Sequence, residues 1–110
     1  MNIPMFFEKR AERRRRLTGL LPGPIYVGEA EESLDCKPVD VSKDGLGIVT
    51  NLIMKDGTEL TLKTKEGKIK LAVAWGQPDF GKRDLYRYGL KVVGEEFDMQ
   101  EIFIEGGCLK

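Results

Sequence analysis

The sequence contains no histidine. Histidine-based acid–base chemistry, a Ser/His/Asp arrangement and the usual Cys/His zinc sites are therefore excluded. Cysteine is scarce: Cys36 and Cys108 lie far apart and make neither a disulfide framework nor a metal cluster. There is no glycine-rich loop of the P-loop type. No apolar run approaches the ~18 residues that a membrane-spanning helix needs. The opening "IPMFF" precedes its arginines, the reverse of a secretion signal. These absences argue for a cytoplasmic, non-enzymatic protein without membrane insertion, metal or cofactor. Net charge is absent too, with 18 cations against 18 anions.

What is present is unevenly spread. Residues 8 to 16 carry six cations (Lys9, Arg10, Arg13, Arg14, Arg15, Arg16) and two anions, whereas 29 to 35 are dominated by acid. A basic segment in a neutral chain attracts an anionic partner, or is a solvated tail. Four consecutive arginines oppose the helix that Glu8 to Glu12 would favour, and "GLLPGP" at 19 to 24 would break it. Residues 1–22 are read as a basic arm and 23–110 as one domain, a size that supports one modest core.

From Pro24 the pattern is that of strands. The stretches 24–30, 33–41, 45–54, 58–64, 68–76 and 84–93 are β-rich. Pro38 favours an edge or bulge position. The stretch 68–76 turns fully apolar, as a buried strand would. In 84–93, Tyr86, Tyr88, Leu90 and Val92 share one face. "KDGT" at 55–58 and "KEGK" at 65–68 place glycine where a hairpin needs positive φ. At the C-terminus, Asp98 followed by Glu101 forms a capping-box pattern, and Met99, Ile102 and Phe103 would share one helical face. The expected fold is mainly all-β: a six-stranded antiparallel barrel covered on one side by a short C-terminal helix.

One polar stretch stands out within this pattern, "DVSKDGLGI" at 40–48. Asp40 and Ser42 are two apart and project from the same face of an extended chain, with Val41 turned to the core. Lys43 and Asp44 form the turn, and Gly45 permits positive φ or close approach to the backbone. A carboxylate accepts two hydrogen bonds from a planar pair of donors, such as the N1–H and N2–H₂ edge of guanine. Taken alone, the stretch reads as an Asx/Ser turn in which both side chains bond to their own loop backbone, and only a second feature would make it half of a binding site. Arginine pairs with phosphate bidentately and stacks on planar bases, so a ligand with phosphate and guanine would use both segments.

Arg10 and Arg14 fit an RxxxR pattern, and Asp40, Ser42 and Gly45 fit DxSxxG. The two occur in that order, within a small β domain that ends in a helix. This combination resembles the PilZ domain, a bacterial receptor module for cyclic di-GMP, over nearly the whole chain. The resemblance implies that Arg10 and Arg14, with Arg13 beside them, hold the phosphates and stack on guanine. It implies that Asp40 and Ser42 hydrogen-bond the ligand and that Gly45 makes room for it. Trp75 matches an aromatic residue that lies near the base in some members; its ordinary reading is core packing. A second alignment, through "ERRRRLT", puts Thr18 at the second arginine position; Arg10 and Arg14 need no such substitution. The implied function is a cyclic di-GMP effector that orders its arm on binding and signals to an unidentified downstream protein. A protein-binding adaptor without nucleotide, or a small barrel binding nucleic acid, are the alternatives. Nucleic acid is disfavoured by the barrel's balanced charge.

Overall fold

The computed structural model describes residues 17–79, 81, 83–94 and 97–109. Arg10, Arg13 and Arg14 lie outside the described residues, as does most of the expected arm. The remainder is mainly β: six antiparallel strands form a half-barrel sheet, with one short helix near the C-terminus. The strands are β1 (Ile25–Val27), β2 (Cys36–Val41), β3 (Gly45–Thr50), β4 (Glu59–Thr64), β5 (Gly67–Pro78) and β6 (Tyr86–Val92); the helix is α1 (Met99–Glu105). Their order across the sheet is β1-β4-β5-β6-β3-β2. The sheet curls enough that the Leu34 N–H, just ahead of β2, donates to the Ile25 carbonyl of β1 at 2.7 Å.

Alternation sends one side chain in two to the concave face. Leu46 and Ile48, Leu60 and Leu62, Ile69, Leu71 and Val73, and Tyr88 and Leu90 build the core. Helix α1 closes it with Met99, Ile102 and Phe103, of which Met99 and Phe103 are wholly buried. Asp98 caps α1, accepting from Gln100 N–H at 3.0 Å and Glu101 N–H at 3.3 Å. The helix start is tied to the β2–β3 turn, where Met99 N–H donates to the Lys43 carbonyl at 2.9 Å. Leu17 bridges Leu109, and Leu17 and Leu21 pack on the core, so the chain joins the body by residue 17.

One turn expectation holds, and three other expectations need correction. "KEGK" is the β4–β5 hairpin turn, with Gly67 at φ 135°. "KDGT" is a turn with Gly57 at φ 87°, but it lies on the crossover between β3 and β4, which are not neighbours. The third strand stops at Thr50 rather than 54, because Tyr88 captures the chain beyond it. The Tyr88 hydroxyl donates to the Leu52 carbonyl and accepts from Met54 N–H, both at 2.8 Å, leaving Ile53 72% exposed. The fifth strand is not buried to its end either: Ala74 to Pro78 are exposed.

Candidate functional site

Simple alternation would turn Asp40 inward with the buried Pro38, and Trp75 inward with the buried Val73. Neither points inward. A β-bulge lies between Pro38 and Asp40 on β2, and another between Val73 and Trp75 on β5. Each inserts one residue, Val39 or Ala74, and so reverses the facing of the residues beyond it. Asp40 becomes exposed and Trp75 is 45% exposed. Core packing is therefore the wrong reading of Trp75, and the bulge is the physical reason.

The register then aligns four residues across four strands: Asp40 opposite Gly47, Gly47 opposite Gly89, and Gly89 opposite Trp75. The row spans three interstrand spacings, roughly 14 Å. Its two central members lack side chains, and both flanking side chains lean onto them. A methyl group at Gly47 would lie 2.5 Å from Asp40 Oδ1. One at Gly89 would collide with the Nε1 edge of the Trp75 indole. The glycines thus leave room for the Asp40 carboxylate to lie over Gly47 and the Trp75 indole over Gly89, on adjacent strands.

Ser42 and Gly45 sit at the next step along the strands. Ser42 N–H donates to the Gly45 carbonyl at 3.0 Å, closing the two-residue turn at Lys43 and Asp44. Gly45 does not take positive φ; its role is close approach, since a methyl there would lie 2.6 Å from the Leu90 carbonyl and 3.6 Å from Ser42 Oγ. The structure therefore brings Asp40, Ser42, Gly45 and Trp75 together on the convex face. Thr18, the alternative partner in the arginine pattern, is engaged elsewhere: its N–H and hydroxyl both reach the Cys108 carbonyl, at 3.0 and 3.3 Å.

Sequence reading missed Gly47, Gly89, Arg87 and Lys91. Arg87 and Lys91 flank Gly89 on the outer face of β6, the complement of the inward positions Tyr88 and Leu90. Lys91 stands opposite Gly45 on one side and Ala72 on the other. Arg87 stands opposite Val49 and Gln77, and Val49 opposite Lys37. The carboxylate and indole are thus bracketed by cations. Among the described residues no group of acidic or cysteine side chains is arranged to hold a metal ion. No helix of these residues is long and apolar enough to cross a membrane.

Chemically, the face offers an aromatic surface, a carboxylate acceptor, a hydroxyl and surrounding positive charge. That set suits a planar ligand with a pair of N–H donors and an anionic frame. Comparison of the chain with models of known protein families, with curated proteins and with solved structures finds no match.

Proposed function

We propose that this chain is a cyclic di-GMP-binding effector module. The observation that carries this reading is the row Asp40–Gly47–Gly89–Trp75, in which two bulges and two glycines set a carboxylate and an indole at the two ends of one outward-facing row, each leaning over the glycine beside it. Guanine presents a planar face for the indole and two adjacent donors for the carboxylate. Ser42 adds a hydroxyl at the rim, and Gly45 keeps that rim low. Arg10, Arg13 and Arg14 would supply the phosphate partners from the basic arm, as RxxxR followed by DxSxxG implies. Neutralisation of the arm by ligand phosphates would change the surface seen by a downstream protein. The module is a receptor, and no catalysis is assigned to it.

A single-strand nucleic-acid reading draws on the same exposed indole and the cations beside it. It is the weaker reading, because the exposed Asp40 carboxylate at one end of the row repels a continuous phosphate backbone. Isothermal calorimetry with cyclic di-GMP on wild type, Asp40→Ala and Arg14→Ala tests the proposal. Saturable binding by wild type is expected, with each substitution weakening it about tenfold or more, the scale of a lost charge-assisted hydrogen bond. Absence of heat with wild type, together with retention of single-stranded RNA at physiological salt, would replace this reading by the other.

A further inference from the structure

One step along the strands from the glycine row, the convex face sinks into a cleft of about 380 Å³. Its walls include Pro38, Val39 and Val49, and Arg87 and Lys37 bring positive charge, with Asp35 and Asp79 also lining it. Arg87 reaches this cleft from the same strand as Gly89, two residues away, so about 7 Å separates them along β6. The Nε atom of Arg87 is buried and has no hydrogen-bond partner among the described residues. A buried guanidinium donor without an acceptor is costly, and such groups in native proteins call for an explanation.

We propose that the acceptor is an oxyanion of the ligand: Arg87, with Lys37 beside it, holds a phosphate of the same cyclic dinucleotide whose base lies between Asp40 and Trp75. This rests on the cyclic di-GMP reading above and adds a phosphate contact from the sheet itself, independent of the arm. The register supports it. Lys37, Val49, Arg87 and Gln77 form the row next to Asp40, Gly47, Gly89 and Trp75. A base seated on one row brings its own phosphate over the next. Nε lies below the surface, so on binding the side chain turns outward, and Nε with its neighbouring N–H then forms the planar fork that matches two phosphate oxygens. Cys36, also in the cleft wall, is no competitor for the anion's place, since it stays a neutral thiol at physiological pH.

The test compares cyclic di-GMP affinity for wild type, Arg87→Gln and Arg87→Lys across a range of salt concentrations, alongside their unfolding in denaturant. Arg87→Gln is expected to bind ten- to a hundredfold more weakly, with a shallower dependence on salt, because one screened charge contact is gone. Ligand-free, it is expected to be as stable as wild type or more so, since an unpartnered buried donor has been removed; a purely structural arginine would show the opposite. Arg87→Lys keeps the charge but not Nε, and is expected to fall between the two. Should Arg87→Gln fail to fold, Arg87→Lys carries the test alone. If wild type binds and both variants bind equally well, the phosphate contact is refuted while the ligand assignment stands. If wild type does not bind cyclic di-GMP, both fall.

Discussion

Glycine inside a strand weakens it, because it has no side chain to pack and loses more entropy on ordering. Two glycines facing each other across β3 and β6 are therefore an expense that stability alone does not explain. Their neighbours explain them: Asp40 and Trp75 occupy the space that the missing side chains leave. Gly47→Ala and Gly89→Ala should consequently separate stability from function. Gly47→Ala displaces only the end of an exposed carboxylate, so unfolding in denaturant is expected to change by no more than about 0.5 kcal/mol, whereas Gly89→Ala must move a half-covered indole and is expected to cost about 1 kcal/mol. Each should nonetheless weaken cyclic di-GMP binding severalfold; equal affinity would mean that the row is not the seat of the ligand. Cys36 gives a second residue-scale prediction. Burial first, and the neighbouring Asp35 second, push its thiol up to about 11 from 9.0. Alkylation by iodoacetamide should thus be slow at neutral pH and rise with a midpoint near 11. The linkage has a definite sign: the folded state disfavours the thiolate. The contribution of Cys36 to stability is intact below pH 9 and is lost as pH rises through 11. The Cys36→Ser variant should lose that part of the alkaline slope.

At the scale of elements, the bulges in β2 and β5 separate what is legible in the sequence from what is not. Strand periods, the β4–β5 turn, the capped helix and the outward pair Asp40 and Ser42 are local patterns, and local patterns can be read from one chain. Pro38 even marks the place of the first bulge, on an edge strand. Nothing local marks the second. Val73 and Trp75 are two apart, and an unbroken strand would bury both; only the pairing with β6 requires Ala74 to be the inserted residue. The glycine row is illegible for the same reason. Gly47 and Gly89 meet through register between strands distant in sequence, and register is fixed by packing of the whole inner face. Arg87 and Lys91 are within reach, since naming Tyr86, Tyr88, Leu90 and Val92 as one face names its complement. Helix α1 holds the opposite end of the site's scaffold through the Met99–Lys43 hydrogen bond. Removing its cap with Asp98→Ala should cost about 1 kcal/mol in denaturant unfolding. It should alter ligand affinity far less than Asp40→Ala does.

At the scale of the molecule, the sheet divides its labour by face. The concave side is filled by the strands and α1, while the convex side carries the exposed carboxylate, indole and cations. On the proposed reading, the sheet with its preset groups is the fixed wall of a receptor, and the basic segment ahead of residue 17 would supply the other. Trp75 is the sole tryptophan in the chain, so its emission reports on that wall without any label. The most direct measurement is a titration of Trp75 fluorescence in the wild-type protein with cyclic di-GMP and, separately, with cyclic di-AMP. Adenine offers a donor beside an acceptor on the edge where guanine offers two donors, so a carboxylate distinguishes them. A saturable change in emission is expected with cyclic di-GMP at roughly micromolar concentrations, and little or none with cyclic di-AMP. An unchanged spectrum with cyclic di-GMP, or equal responses to the two dinucleotides, would overturn the assignment of Asp40 and Trp75 as the seat for guanine.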